Sequence, residues 1–158
     1  MAEFKTNVMR ILDKSKIKYT AHSYPCGDTA PSGSEVAAFL GKNPDEVYKT
    51  LVTRGNSKQY YVFVIPVEAH LNLKKAAKSV GEKSVEMIKQ SELLPLTGYV
   101  HGGCSPVGMK KKYPTFLDET CILWEEIAVS AGARGHQMIL PPEKLAELVS
   151  AKLVDLTE

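Results

Sequence analysis

Val47-Tyr-Lys-Thr-Leu-Val-Thr53 and Gln59-Tyr-Tyr-Val-Phe-Val-Ile65 are two runs of strand-forming residues joined by Arg54-Gly-Asn-Ser-Lys58. β-Branched and aromatic residues favour strands, and a short stretch with glycine between two such runs favours a reversal of the chain. The segment therefore predicts an antiparallel hairpin. Helical patterns occur on both sides of it without a strict strand–helix–strand rhythm, which predicts an α+β fold with a mixed, largely antiparallel sheet flanked by helices.

The rest of the chain contains further helices and shorter strands. Amphipathic spacing from Phe4 predicts a first helix that ends near Ser15, and Pro25–Ser34 is predicted to be a loop that reaches over a pocket. The other predicted helices are one capped by Ser32 and ended by Gly41, one between Asn72 and Gly81, a turn at 91–94 stopped by Pro95, and one opened by Pro141-Pro142-Glu143. The other predicted strands are 17–24, 84–87, 113–117, 127–130, 136–140 and 153–156.

Composition indicates the class of protein. With 158 residues, of which 44% are hydrophobic, the chain is predicted to be a single domain over 1–158 with a sizeable core. A net charge of +2 does not indicate a general nucleic-acid binder, although a local basic patch can still contact phosphates. The start of the chain lacks a signal-peptide pattern, and no apolar run approaches the roughly 18 residues that a membrane helix needs. Three scattered cysteines fit neither a disulfide framework nor a zinc site, so a cytoplasmic protein without metal or membrane contact is expected.

Lys49 stands out within the first strand of the hairpin. Residues two apart share a face of a strand, so Lys49 shares its face with Val47 and Leu51. Neither face of this strand is polar, which predicts that both are covered. An ammonium group is costly to desolvate, so Lys49 must extend its charge to water, pair with a carboxylate, or point into a cavity where the charge has a use. The two main alternatives are an edge-strand lysine with its charge in water and a site lysine that stabilises an oxyanion, and pattern alone leaves both open.

A second unusual stretch is Gly98-Tyr-Val-His-Gly-Gly-Cys-Ser-Pro-Val-Gly108, here called the glycine loop. Glycine allows backbone to turn with positive φ or to approach another group closely. Such a loop can present backbone N–H groups to a ligand, and the basic run Lys110–Lys112 adds positive charge beside it. The alternative is a tight connection between two strands followed by a solvated basic turn, and the pattern does not choose between the two.

Taken together, these features resemble the YbaK/EbsC family, which contains Cys-tRNA(Pro) deacylases and is related to the editing domain of bacterial prolyl-tRNA synthetases. The resemblance covers essentially the whole chain. It is carried by segments in the family's order and spacing: Val47-Tyr-Lys-Thr-Leu51, Asn72-Leu-Lys-Lys-Ala-Ala77, Val85-Glu-Met87, Thr97-Gly-Tyr99, Gly102-Gly-Cys-Ser-Pro-Val-Gly108, Lys110-Lys111 and Val129-Ser-Ala-Gly-Ala-Arg-Gly135.

The resemblance implies a sheet that curls partly into a barrel, and it implies roles for individual residues. Lys49 matches the family's essential lysine, expected to bind and polarise the aminoacyl ester. Tyr24 matches a pocket tyrosine that positions the substrate, Gly102 matches a glycine that lines the pocket, and Gly103 continues that loop. Further expected contacts are Ser105 and Gln137 with the substrate, and Lys110, Lys111 and Lys112 with the tRNA.

The implied activity is trans-editing, the removal of a wrong amino acid from an aminoacyl-tRNA. A synthetase pocket built for proline cannot strongly exclude an amino acid of similar size, since a missing methylene is worth only ~1–3 kcal/mol. The expected substrate is Cys-tRNA(Pro), with Cys-tRNA(Cys) as an open second substrate, and prolyl-tRNA synthetase is the expected transient partner. In the family the substrate's own thiol is thought to attack its ester carbonyl, a route that needs no cofactor, metal or protein nucleophile.

Several alternatives remain open from the sequence. Cysteinyl deacylases can carry an aspartate where this chain has Gln137, so a counter-charge for Lys49 or for the substrate's amino group is lost, and another amino acid such as alanine becomes an alternative substrate. Thr29-Ala-Pro-Ser-Gly-Ser34 also departs from the family's best-known form. A Cys104–His101 nucleophile can be written down, although a small packing residue is the simpler interpretation of Cys104. A non-catalytic protein that binds aminoacyl-tRNA or a synthetase, or acts in regulation, is the alternative from another class.

Overall fold

The predicted hairpin forms the centre of the larger of two sheets in the computed structural model, which describes residues 5–26 and 31–158. The strands are β1 (Thr20–Ser23), β2 (Tyr48–Gly55), β3 (Tyr60–Pro66), β4 (Val85–Met87), β5 (Thr115–Asp118), β6 (Ile127–Ala133), β7 (His136–Leu140) and β8 (Lys152–Val154). The helices are α1 (Asn7–Lys14), α2 (Gly33–Leu40), α3 (Leu73–Val80), α4 (Gln90–Thr97) and α5 (Pro142–Val149), and short 3₁₀ helices cover Pro44–Glu46 and Glu119–Leu123.

The two sheets have different topologies. The larger has the order β4-β2-β3-β5-β8, in which β3 and β5 and then β5 and β8 run parallel. The smaller has the order β1-β7-β6 and is antiparallel throughout. An isolated parallel bridge between Val47 and Ala128 joins them. The predicted α+β fold with mixed, mostly antiparallel pairing is confirmed, and the strands are not closed into a barrel.

Three apolar clusters hold the layers together. The largest lies between the two sheets, α1 and α5, with Leu12, Val64 and Met138 among its buried members. A second joins α3 to the outer face of the larger sheet, and a third joins α2 to Val47 and Ala128, where the sheets meet. Because clusters contact both faces of the larger sheet, β2 is covered on both sides, as its sequence predicts.

Helix ends mostly follow the predicted caps. Ser32 and Glu35 form a reciprocal capping box at the start of α2, and Asn72 accepts backbone N–H groups at the start of α3. Thr6, one of two cap residues that the sequence offers before the first helix, caps α1, while Phe4 lies outside the described residues. Within the described part of the chain, no helix is both long and apolar enough to cross a bilayer.

The prediction that Pro95 stops a helical turn was wrong, because α4 continues through it to Thr97. Proline lacks the N–H that would donate to the Ser91 carbonyl, but the carbonyls of the following residues are still hydrogen-bonded. Thr97 Oγ1 donates to the Leu93 carbonyl at 2.7 Å, and Gly98 N–H donates to the Leu94 carbonyl at 2.8 Å.

The terminal strands also differ from their predicted ranges. β1 is shorter and covers only Thr20–Ser23, and β8 is displaced and ends at Val154.

Candidate active site

A cavity of about 290 Å³ opens beside the central strand. One edge of β2 pairs with β3 from Tyr48 to Arg54. The other edge pairs with β4 only over Thr53–Gly55 and bridges β6 only at Val47. The two sheets diverge between these points, and Val47 together with residues 48–51 of β2 lines the space, which we call the β2-edge cavity. Its volume is at the lower end of the ~300–1,000 Å³ typical of ligand pockets, which suits a small polar group and not a whole nucleotide.

Lys49 lines the β2-edge cavity with its side chain half-buried. Burial lowers the pKa of the Lys49 ammonium, because desolvation disfavours its charged form. None of the carboxylates in the described residues forms an ion pair with it. Of the two alternatives that the sequence leaves open, the geometry therefore favours a charge directed into a cavity.

Tyr24 and Gln137 face Lys49 from the smaller sheet. Tyr24 follows β1, and its N–H donates to the Gly135 carbonyl at 2.9 Å, in the turn between β6 and β7. Its ring stacks on Phe39 of α2, with centroids 5.3 Å apart. Burial raises the pKa of the Tyr24 hydroxyl, and a hydrogen bond with the Gln137 side chain partly opposes that rise. Tyr24 is thus held neutral and oriented at the cavity wall.

Two buried oxygen atoms at this cavity lack a hydrogen-bond partner. They are Thr50 Oγ1 and Gln137 Oε1, and no other buried side-chain nitrogen or oxygen in residues 5–26 and 31–158 shares this property. Both residues line the β2-edge cavity. Buried polar groups in proteins are nearly always hydrogen-bonded, so two unsatisfied oxygens beside one cavity are unusual, and both are closed off from solvent, with less than 1 Å² of accessible area each.

The glycine loop closes the cavity from a third side and is fastened to the smaller sheet. Gly102 lies on the cavity wall with φ of 87°, a left-handed conformation that glycine adopts without strain. A Cβ at Gly103 would lie 2.9 Å from the backbone nitrogen of Arg134, so the loop approaches the β6–β7 turn too closely for a side chain. Arg134 Nε in turn donates to the His101 carbonyl at 2.7 Å. These contacts fix where Gly102 lies relative to Lys49.

The structure brings four of the predicted substrate-site residues to one cavity and places the others elsewhere. Tyr24, Lys49, Gly102 and Gln137 line it together. Gly103 is buried behind it, and Ser105 is fully buried, with its Oγ accepting from Val107 N–H at 3.3 Å. The geometry gives these two residues supporting positions in the glycine loop.

The basic run Lys110–Lys112 is fully on the surface and is not part of the cavity wall. Lys111 and Lys112 instead border a separate groove of about 540 Å³ between α1, the glycine loop and α5. The predicted contact of these lysines with tRNA stays a prediction.

Cys104 also reaches the cavity, but its environment opposes a nucleophilic role. Burial raises the pKa of the Cys104 thiol to about 12, so the thiol is protonated near neutral pH, whereas the thiolate is the reactive form. His101 lines the same cavity from an exposed position. The described residues contain no group of three His, Cys, Asp or Glu side chains with the proximity of a metal site.

Sequence reasoning did not single out Thr50 or Ser130, both of which line the cavity. Thr50 lies on the opposite face of β2 from Lys49, and only the open strand edge lets both reach one space. Ser130 is buried, and its Oγ accepts from Gly132 N–H at 3.1 Å. A polar residue within the otherwise apolar strand β6 is the signal that could have indicated Ser130. Thr50 carries no such signal, because β2 contains other polar residues.

Comparison with known proteins places this geometry in context. Residues 28–148 match the family model described as an aminoacyl-tRNA editing domain. The chain is 42% identical over 153 residues to EbsC of Enterococcus faecalis, provisionally named a Cys-tRNA(Pro)/Cys-tRNA(Cys) deacylase, with 97% of this chain and 93% of that protein covered. It is 28% identical to the proline–tRNA ligase of Shouchella clausii over 70% of this chain and 19% of that enzyme.

A solved structure supports the same relationship. It was provisionally described as a trans-editing enzyme for prolyl-tRNA synthetase, and it superposes with a TM-score of 0.83 at 25% identity. The superposition covers 98% of this chain and 99% of that one. The similarity therefore extends over the whole arrangement of helices and sheets that forms the cavity.

Proposed function

Because this chain belongs to the aminoacyl-tRNA editing domain family, we propose that it is a deacylase that removes mischarged cysteine from Cys-tRNA(Pro), with Cys-tRNA(Cys) as a second substrate. The observation that carries the proposal is the half-buried Lys49, which lacks an acidic partner among the described residues, in a small cavity. The name of the relative EbsC supports the choice of cysteine and of these two tRNAs.

Lys49 is proposed to bind the carbonyl oxygen of the aminoacyl ester. An ammonium held near that oxygen interacts more strongly as negative charge develops on it, so it stabilises the transition state more than the ground state. Partial burial strengthens the interaction, because the effective dielectric constant in the cavity is below that of water. Tyr24 and Gly102 are proposed to position the ester beside Lys49, and Gln137 to contact the aminoacyl group.

The proposed reaction uses the thiol of the substrate cysteine. Its sulfur attacks the ester carbonyl carbon, a sulfur–carbon bond forms, and the carbon–oxygen bond to the terminal ribose breaks. The thiol proton passes to the ribose oxygen, which leaves as the free hydroxyl of the tRNA. In this route the protein only orients the substrate and stabilises charge. It needs no nucleophile from the protein, which agrees with a cavity whose one cysteine, Cys104, has a pKa of about 12.

The tRNA body is proposed to lie along the basic run Lys110–Lys112, whose exposed ammonium groups suit phosphate contacts. The supporting contacts of Gly103 and Ser105 keep the glycine loop in position between this run and the cavity. Prolyl-tRNA synthetase is the proposed transient partner, because it releases the mischarged tRNA and because the chain resembles a segment of that enzyme class.

The test is a panel of charged tRNAs incubated with the protein: Cys-, Ala-, Ser- and Pro-tRNA(Pro), and Cys-tRNA(Cys). Loss of the aminoacyl bond from the cysteinyl substrates, with Pro-tRNA(Pro) spared, is the expected result. Preferential cleavage of Ala-tRNA(Pro) would mean that this protein, with Gln137 in place of the aspartate, is specific for alanine and not for cysteine. No turnover of any member at stoichiometric protein would exclude the deacylase and leave the binding or regulatory alternative.

A further inference from the structure

Two open grooves lie beside the turn that joins α1 to β1, and neither shares a lining residue with the β2-edge cavity. One, of about 620 Å³, is bordered by α1 and the start of β1, and the other, of about 530 Å³, is bordered by α5. Lys16, Ile17 and Lys18 line both grooves, and Lys144 lines the second. The three lysines are exposed, and we call them the α1–β1 patch.

The positive charge of the α1–β1 patch is not neutralised within residues 5–26 and 31–158. No ion pair of these residues includes a lysine of the patch. Two carboxylates also line the grooves. Asp13 already pairs with Lys5, which leaves Glu147 against three lysines. The grooves therefore carry an excess of positive charge, although the net charge of the whole chain is only +2.

Lys16 has an unfavourable backbone conformation. It follows Ser15, the C-cap of α1, with φ of 60°, a left-handed conformation in which glycine is common after a helix and other residues are strained. Its N–H donates to the Asp13 carbonyl and that of Ile17 to the Leu12 carbonyl, both at 3.0 Å, and the Ile17 side chain packs against the largest apolar cluster. The turn is thus fixed, and it presents a lysine at a cost in stability that glycine would avoid.

Resting on the proposed function, we propose that the α1–β1 patch binds the phosphodiester backbone of the tRNA whose aminoacyl end occupies the β2-edge cavity. Cations spread over open grooves, with no enclosed pocket between them, suit a ligand with many separated negative charges. The attraction of a helix C-terminus for cations accounts for a lysine close to the end of α1. It does not account for Lys144, which lies in the first turn of α5, where a cation is disfavoured.

The position of the patch fits the substrate. Lys18 precedes β1, and Tyr24, six residues further on, lines the β2-edge cavity. An extended chain of this length spans at most about 20 Å. A nucleic-acid strand carries a charge for about every 3.4 Å of its helix, so a tRNA that reaches the cavity brings several phosphates within this distance. The second groove also shares Leu148 with the groove bordered by Lys111 and Lys112, so the two basic surfaces meet at α5.

The test measures the affinity of uncharged tRNA(Pro) for the protein over a range of KCl concentrations. A variant in which Lys16, Lys18 and Lys144 are all replaced by glutamine should reduce the slope of log affinity against log salt by about 2–3, because three phosphates are no longer neutralised. Its affinity should fall by about 10–100-fold at about 0.15 M salt. In the deacylation assay KM for Cys-tRNA(Pro) should rise and kcat should change little, since no lysine of the patch lines the cavity.

The matched control replaces Lys74, Lys78 and Lys83 by glutamine. These lysines are exposed, lie on α3 or just after it, and line neither groove. The control makes the same change in net charge as the patch variant and should keep the wild-type slope.

Lys16→Gly supplies a readout that a purely structural lysine would not give. Glycine adopts the left-handed conformation without strain, so this variant should unfold at an equal or higher denaturant concentration than wild type. It should nevertheless bind tRNA(Pro) about fivefold more weakly, because one phosphate contact is lost.

Two outcomes would overturn the inference. One is wild-type affinity and slope in the patch variant, and the other is an equal loss in the control variant, which would reflect net charge alone. Both leave the deacylase function standing, because turnover of Cys-tRNA(Pro) by the wild-type protein is measured separately. Absence of turnover of every charged tRNA, with binding of tRNA(Pro) still dependent on the patch, would overturn the proposed function and support the patch as a surface that binds tRNA.

Discussion

At the scale of single residues, the chemistry depends on one cation and on what surrounds it. Lys49 is half-buried among β2, α2 and the glycine loop, and burial lowers its pKa because the charged form is poorly solvated. A cation in this state costs the fold some stability, because its charged form is less well solvated than in the unfolded chain. We infer that Lys49 contributes to catalysis and not to the stability of the fold.

The corresponding prediction pairs two substitutions in the same cavity. Lys49→Met should lower the single-turnover rate on Cys-tRNA(Pro) by about 10²–10³-fold, the usual effect of removing an oxyanion-stabilising group, while the unfolding temperature is maintained or raised. Cys104→Ala should leave the rate within a few-fold of wild type, because a thiol with a pKa of about 12 is protonated and unreactive. Loss of activity in Cys104→Ala with survival in Lys49→Met would reverse the assignment.

The pH dependence of the deacylation rate distinguishes a catalytic Lys49 from a lysine with a purely structural role. The ammonium is the useful form, and burial holds its pKa below the ordinary value of a lysine side chain. The protein's acceleration over spontaneous hydrolysis should therefore decline as pH rises through that lowered pKa. Lys49→Arg stays charged over this range, so whatever activity this variant retains should not show the decline. An unchanged decline in the arginine variant would exclude Lys49 as its cause.

At the scale of elements, the site depends on how the glycine loop meets the β6–β7 turn. The Arg134 Nε–H bond to the His101 carbonyl and the lack of space for a Cβ at Gly103 both locate the loop against the smaller sheet. The loop, β2 and β7 belong to different parts of the chain. Their contact, and not any one element, determines the distance between Gly102 and Lys49.

Gly103→Ala should test that contact. Its new Cβ would lie 2.9 Å from the Arg134 nitrogen and 3.1 Å from the Ala133 carbonyl carbon, so the loop must shift, at a cost of about 1–3 kcal/mol in the free energy of unfolding. Activity should fall with it, because Gly102 moves away from Lys49.

The matched control is Gly81→Ala at the end of α3. That position has φ of 75° and no atom within 4 Å of the new Cβ, so it should lose about 1 kcal/mol through backbone strain alone and keep its activity. Denaturant unfolding and the deacylation assay measure the two effects separately. A Gly103→Ala variant with wild-type stability and rate would show that the close approach does not position the loop.

At the scale of the whole molecule, the reacting end of the tRNA and its body are proposed to contact different surfaces. The β2-edge cavity lies where the two sheets diverge, whereas Lys110–Lys112 are exposed, and two of them border a separate groove. Affinity and turnover should therefore be separable by mutation.

Replacing Lys110, Lys111 or Lys112 by glutamine should weaken binding of tRNA and reduce the slope of log affinity against log salt by about 0.7–0.9 for each phosphate that the variant no longer neutralises. The single-turnover rate of bound substrate should change little. Lys78→Gln on α3 removes an exposed charge outside the groove and serves as the control. Unchanged slopes in all three variants would assign the basic run to a solvated turn.

The sequence by itself determined the hairpin, the α+β class, most helix caps and the anomaly of Lys49. These depend on neighbouring residues, because side-chain periodicity, cap residues and glycine positions act within a few residues of each other. The same locality explains the mistake at Pro95, since local rules treat a proline as a stop, whereas α4 continues to Thr97 and ends at Gly98, with the Leu93 and Leu94 carbonyls still hydrogen-bonded.

Only the tertiary structure decided which residues meet in the cavity. Thr50 faces away from Lys49 along β2, and Gln137 lies far along the chain in β7, yet both residues line the same cavity. Ser105, in contrast, belongs to the glycine loop and is turned fully inward. The physical reason is that the cavity forms where β2 lacks a neighbour on one edge. Strand pairing between distant segments, and not the pattern within any one of them, sets where such an edge occurs.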